Sequence, residues 1–208
     1  RRADGRDLPH QLQQEVVFIR LAGRWAWLTA FFIAPALAQP LPESLAQCSA
    51  CHGAGGRSVV PGTPSLAGQP ALFLENQLVL IREGVRQVAP AMAAALKGVT
   101  DAEIRALARY YAAQMPAPPA GKADPALAKR GAALARRLHC GNCHESDFRG
   151  REQMPRLATQ REEYLVAAMN AYRGYTRIGG DTLMAAALYG VSDADVTALA
   201  HFLAHQRP

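Results

Sequence analysis

The chain has no cysteine to spare. Its 208 residues hold four, and all four sit in two short runs, CSACH at 48–52 and CGNCH at 140–144. A disulfide framework spread along the chain is therefore excluded. Charge is scarce too: 19% of residues are Asp, Glu, Lys or Arg against 50% hydrophobic, which excludes a disordered chain. Alanine dominates the apolar share while Val, Ile and Thr are thin, and no segment alternates with period two. That argues against a sheet protein and for short helices. No apolar run is long enough to span a bilayer comfortably. The net charge of +6 comes from scattered basic residues with no patch, so nucleic-acid binding is not indicated.

The longest apolar run, WAWLTAFFIAPALA at 25–38, follows Arg20 and Arg24 and ends in small residues. A basic stretch, a short apolar stretch and a small-residue end form an export signal. The expectation is a signal peptide over 1–38, cleaved after Ala38, and a periplasmic protein. Membrane association would then come only through a partner or an uncleaved signal. Residues 1–38 hold five arginines and three acids, so the remaining chain keeps 18 basic and 14 acidic residues, a net +4.

The sequence is written twice. A shift of 92 lays Cys48, Cys51, His52 and Met92 over Cys140, Cys143, His144 and Met184. It also lays VTDAEIRALARYYAAQ (99–114) over VSDADVTALAHFLAHQ (191–206). A shift of 91 pairs PSLAGQ (64–69) with PRLATQ (155–160), so one residue was gained or lost between these blocks. The Pro- and Gly-rich stretch 116–124 cannot continue a helix and reads as a linker. The expected domains are 39–115 and 125–208. Each is small enough that something other than protein should help fill its core. Expected helix starts are Asp124 with Pro125 at the first position, and Thr100 or Ser192 with Glu103 or Asp195 three residues on. Asp is the weaker box partner. Two further amphipathic helices should end near Gly84 and Gly174.

Cys-x-x-Cys-His is the attachment signature for c-type haem. Two intervening residues place both sulfurs on one side of a turn, able to add across the two porphyrin vinyl groups, and the next histidine projects under the iron. Zinc ribbons usually separate their cysteine pairs by about 15–20 residues; here 88 lie between Cys51 and Cys140. A thioredoxin-like pair belongs to a strand-rich fold, and a disulfide inside Cys-x-x-Cys closes a strained ring. Haem outweighs all three because the signature occurs twice. The prediction is two covalent haem c groups per chain, on Cys48 and Cys51 and on Cys140 and Cys143, with His52 and His144 as axial iron ligands. Met92 and Met184 each stand 40 residues beyond their histidine, each followed by three alanines. As loop methionines at one spacing they are poor core fillers and good sixth ligands. A thioether favours ferrous iron, and two closed axial positions make a carrier of single electrons rather than a catalyst. His139, His201 and His205 have no repeat partner and read as structural.

With these residues on the page, the chain resembles the dihaem cytochrome c4 family over about 41–206. The resemblance is carried by CSACHGAGGRS, PSLAGQ, FLENQLVLIREGVR, MAAALKGVTDAEIRALARYYAAQ and their second-copy counterparts. It implies an all-α fold of two tandem class I cytochrome c domains. It also implies that the carbonyls of Pro64 and Pro155 orient the two histidines. Two departures stand out. The first copy has no glycine matching Gly131 and a short opening segment, and the second has ESDFRGRE where the first is glycine-rich. The two haem surroundings, and their potentials, should therefore differ.

The function expected is a periplasmic electron carrier, not an enzyme, feeding a terminal oxidase such as a cbb3-type enzyme. An upstream quinol-oxidising complex or a flavoprotein would supply its electrons. The alternative is the dihaem subunit of a flavocytochrome sulfide dehydrogenase-type complex. A haem peroxidase is a weaker reading, since it needs an open sixth position.

Overall fold

The computed structural model describes residues 44–177 and 182–207, all within one compact unit, 39–208. The expected signal peptide and the first copy's opening segment lie outside the described residues. Nine helices, with one 3-10 turn (Ala54–Gly56), make up the regular structure among the described residues, and none of them forms a strand. In the first copy these are α1 (Ser44–His52), α2 (Ala71–Arg82), α3 (Pro90–Ala95) and α4 (Asp101–Ala112). In the second they are α5 (Pro125–Arg137), α6 (Cys140–His144), α7 (Glu162–Arg173), α8 (Thr182–Ala187) and α9 (Asp193–Ala204).

The helix ends follow local chemistry. Asp124 Oδ1 accepts from the backbone N–H groups of Ala126 and Leu127 at 2.8 and 2.9 Å, and these bonds hold its carboxyl below the usual carboxylate value. Thr100 and Glu103 close a full capping box: Thr100 Oγ1 accepts from Glu103 N, and Glu103 Oε2 accepts from Thr100 N at 2.8 Å. In α9, Ser192 Oγ accepts from Asp195 N, but Asp195 reaches only the Ser192 hydroxyl. Its side chain is one methylene shorter than Glu103, and Arg130 engages it from α5 at 2.8 Å. Helix α2 ends beside Gly84 at φ 70°. After α7, by contrast, the left-handed position falls on Tyr175 (φ 55°), one residue past Gly174.

Each copy closes its own core. In the first, α2 packs on α4, and Leu74, Ile81, Leu96, Ile104, Leu107, Ala108 and Tyr111 meet. In the second, α9 packs on both α5 and α7, burying Leu134, Leu165, Met169, Val196, Leu199 and Leu203. Residues Val196, Ala198 and Ala200 are fully out of solvent. The α5–α9 crossing is close because Gly131 lies in it: a Cβ there would stand 2.1 Å from Ala198 O and 2.4 Å from Phe202 Cβ. The stretch 116–124 is irregular and tied at its second end, where Asp124 N–H donates to His201 Nε2 at 2.8 Å.

In an ordinary helix interior, Gly→Ala gains about 1 kcal/mol. At Gly131 the sign reverses: Gly131→Ala should destabilise the protein by about 1–3 kcal/mol through overpacking. Guanidinium unfolding of the holoprotein measures it, and an unchanged or higher midpoint contradicts the crossing.

Candidate functional site

Each Cys-x-x-Cys-His run lies on a helix, α1 or α6, so the two sulfurs and the histidine project from successive turns. No disulfide joins any of the four cysteines. Cys51 and Cys143 are exposed, while Cys48 and Cys140 are half-buried against the core of their own copy. Burial pushes both of those inner thiols up from the usual cysteine value.

The histidines point inward and are buried, His52 at 7% and His144 at 4% exposure. His52 Nδ1 lies 2.8 Å from Pro64 O, and His144 Nδ1 lies 2.8 Å from Pro155 O. A carbonyl can only accept, so each Nδ1 carries the proton and each Nε2 keeps a free lone pair. Burial lowers both histidines from the usual value, against the opposing effect of the proline carbonyl, and keeps them neutral. His144 Nε2 is buried with no hydrogen-bond partner. A buried acceptor left unpaired costs about 1–3 kcal/mol unless something else takes its lone pair. An iron ion would, and the donor set of two thiols and an imidazole fits a c-type haem.

Met92 and Met184 are half-buried and pack against the same cores as Cys48 and Cys140 respectively. Their setting differs from the loop expected. Each sits on a short helix, α3 or α8, because the alanines after it sustain a helical turn and Pro90 pre-sets the start of α3. A helix fixes the direction of a thioether more firmly than a loop does.

The turns after the two histidines share two left-handed positions although their chemistry differs, and only copy one has a third, at Gly55 (φ 61°). Gly53 and Gly56 (both φ 78°) correspond to Glu145 (φ 70°) and Phe148 (φ 58°). Gly56 O accepts from Leu66 and Ala67 N–H as Phe148 O does from Leu157 and Ala158 N–H. The inserted or lost residue therefore lies between this turn and the proline.

The two copies meet through a reciprocal pair of glutamines that sequence reasoning did not single out. Gln69 Nε2 donates to Arg156 O at 2.9 Å, and Arg156 N–H donates to Gln69 Oε1 at 3.0 Å. In the mirror arrangement Gln160 Nε2 donates to Ser65 O at 2.9 Å, and Ser65 N–H donates to Gln160 Oε1 at 2.7 Å. All four residues are buried. The signal was present in the repeat, since Gln69 and Gln160 end the paired PSLAGQ and PRLATQ blocks. A self-complementary contact is what two like surfaces make when related by a two-fold axis. Further bonds among the described residues cross the seam: Phe73 N–H donates to Glu152 O at 3.0 Å, and Arg86 Nη2 donates to Tyr164 Oη at 3.4 Å. Burial would raise the Tyr164 phenol, but Arg177 and Arg86 outweigh it and hold it below the usual tyrosine value.

Of the remaining histidines, His205 donates from Nδ1 to His201 O at 2.8 Å and leaves its Nε2 buried and unpaired. Glu162, His201 and His205 cluster closely enough to suggest a metal. His201 Nε2, however, accepts from Asp124 N–H, so His201 Nδ1 bears the proton that faces Glu162 Oε2 at 3.0 Å. That leaves His201 no lone pair for an ion; it ties the linker to α7. His139 is exposed, at the left-handed position (φ 55°) that opens α6.

Known proteins resemble the chain over both copies. The family profile "Cytochrome c" matches residues 128–207, and "Cytochrome C oxidase, cbb3-type, subunit III" matches 43–110. The chain is 32% identical to cytochrome c4 of Thiocapsa roseopersicina, over 75% of this chain and 85% of that one. It is 35% identical to the thiosulfate dehydrogenase electron acceptor of Thiomonas intermedia (strain K12), over 85% and 86%. The crystal structure of reduced recombinant cytochrome c4 from Pseudomonas stutzeri superposes with a TM-score of 0.72 at 31% identity, covering 78% of this chain and 94% of that one.

If both sulfurs of each pair are bonded to a porphyrin, the purified protein, denatured and reduced, should show no thiol to an alkylating or disulfide-exchange reagent. It should keep its haem colour on a denaturing gel. Alkylation of two or four cysteines contradicts the attachment.

Proposed function

The chain belongs to the dihaem cytochrome c4 family, and from that premise we propose that each of its haems is held between His52 and Met92 or between His144 and Met184. It is an electron-transfer protein with two covalently bound haem c groups, one on each Cys-x-x-Cys-His run. The observation that carries the ligand reading is the buried, unpaired Nε2 of His144 directly after a Cys-x-x-Cys pair, with the Nδ1 bond to a proline carbonyl repeated at His52; His205 Nε2 is also buried and unpaired but has no cysteines beside it in the sequence.

Bound haem supplies a one-electron couple. The protein's own residues do the rest. Two sulfurs per copy anchor the group, and the Pro64 and Pro155 carbonyls fix the tautomer and plane of each imidazole. Met92 and Met184, on their short helices, would hold the iron from the other side. A neutral thioether stabilises the reduced form relative to a second histidine. The apolar cores of both copies limit rearrangement when charge changes.

The same reading takes the two haem-binding domains as 39–115 and 125–208, made periplasmic by a signal over 1–38. It takes electrons onward to a terminal oxidase. The profile named for a cbb3-type oxidase subunit over 43–110 supports a haem domain of the kind used in such chains. A second reading concerns the donor. The relative from Thiomonas intermedia carries the name of an acceptor for thiosulfate dehydrogenase, which supports a sulfur-compound dehydrogenase upstream in place of a quinol-oxidising complex. This is nearer to the flavocytochrome sulfide dehydrogenase alternative than to a peroxidase.

Met92→Ala and Met184→Ala should each lower the potential of one haem only and open that haem to carbon monoxide. The other haem's spectrum should stay unchanged. Carbon monoxide binding to the wild-type protein, or an unshifted potential in either variant, contradicts the closed axial pair. Mixed with thiosulfate dehydrogenase and its substrate, the oxidised protein should be reduced within single turnovers if the second reading holds; slow, concentration-independent reduction speaks for another donor.

A further inference from the structure

We propose that Gln69 and Gln160 are positioning residues that act across the seam, each tuning the iron-facing histidine of the opposite copy. The inference rests on His52 and His144 being the axial ligands proposed above.

The connection runs through one peptide group on each side. The amide between Pro64 and Ser65 accepts from His52 Nδ1–H through its oxygen, at 2.8 Å, and donates to Gln160 Oε1 through its N–H, at 2.7 Å. The amide between Pro155 and Arg156 does the same for His144 and Gln69, at 2.8 and 3.0 Å. An amide that donates at nitrogen carries more negative charge on its oxygen, so successive bonds polarise one another. The better acceptor draws the Nδ1 proton and makes Nε2 the stronger donor to metal. More electron density at the ligand favours the oxidised metal.

Three observations make this a built device. Each glutamine binds both sides of its target residue, since Nε2 donates to Ser65 O or Arg156 O at 2.9 Å. The four residues are between 4% and 8% exposed, so water has little access to replace a lost bond. The arrangement is also reciprocal, which a single structural contact need not be. It is not perfectly even: Gln160 Oε1 also accepts from Arg161 N–H at 2.9 Å, whereas Gln69 is followed by Pro70, which has no N–H to share. Gln69 therefore gives its oxygen to the opposite copy undivided. Each haem's histidine is thus set partly by the other half of the molecule, and an event that opens the seam alters both.

The test uses the full holoprotein carrying Gln160→Leu or Gln69→Leu. Spectroelectrochemistry gives the two potentials, and paramagnetically shifted resonances of His52 and His144 assign each to its haem. Gln160→Leu should raise the potential of the haem on Cys48 and Cys51, move the His52 ring resonances and leave the other haem in place. Gln69→Leu should do the converse. Gln→Glu at either position keeps an acceptor for the N–H and adds negative charge. It should shift the same opposite haem downward, which keeps the test open should a Leu variant fail to fold. Exchange of the Ser65 or Arg156 amide proton reports loss of the clamp independently of iron. A shift confined to the mutated copy's own haem, equal shifts in both, or none although that amide exchanges faster overturns the proposal. Unshifted His52 or His144 resonances in the wild-type protein overturn the ligand reading itself, before any variant is made.

Discussion

A peptide group beside each proximal histidine is the constraint on which this molecule turns. The carbonyl of Pro64 or Pro155 decides which nitrogen of the imidazole holds the proton, and so which one keeps its lone pair. For that carbonyl to be in place, the chain must reverse sharply after the histidine and return beneath it. The left-handed residues Gly53 and Gly56, or Glu145 and Phe148, make the reversal. The doubly accepting carbonyls of Gly56 and Phe148 then hold the returning strand of chain. The same peptide's N–H is the point at which the second copy takes hold. Local geometry at the site and assembly of the two halves are therefore one problem.

The two copies solve it with different side chains, and the differences compensate. At Gly56 a Cβ would stand 2.7 Å from the ring of Tyr111, so copy one keeps glycine and fills the space with tyrosine. In copy two Leu203 occupies the position of Tyr111, and the buried ring of Phe148 sits edge-on to Phe202, with centroids 5.7 Å apart. The two cores thus reach similar packing by opposite routes. The polar surroundings are unequal. Tyr111 brings a buried phenol to the neighbourhood of Cys48, pushed up to about 12 chiefly by burial, and Leu203 brings nothing comparable to Cys140. Unequal surroundings should give the two haems unequal potentials.

Much of this was legible from residue order. The cysteine spacing named the cofactor, the repeat at 92 paired the two sites, and capping residues such as Asp124 and Thr100 marked helix starts because their chemistry is local. The helices carrying Met92 and Met184 leave no trace in the sequence, since six residues are too few to show a period. The left-handed Phe148 and Glu145 have no local signature either: bonds from Leu157 and Ala158 to the Phe148 carbonyl, and a turn bond from Phe148 N–H to the Glu145 carbonyl, hold conformations that their own side chains disfavour. The glutamine clamp stood in plain view as the last letter of PSLAGQ and PRLATQ. Its meaning needed the partner 95 or 87 residues away, and a pairing at such separation has no local signature.

The most direct test of the central claim is a spectroscopic redox titration of the unmodified holoprotein. It should resolve two one-electron steps at different potentials. The sulfur-to-iron charge-transfer absorption of thioether-ligated ferric haem should vanish in proportion to each step. A step that leaves this absorption untouched, or a total of one electron per chain, would contradict an iron clamped between imidazole and thioether in each half.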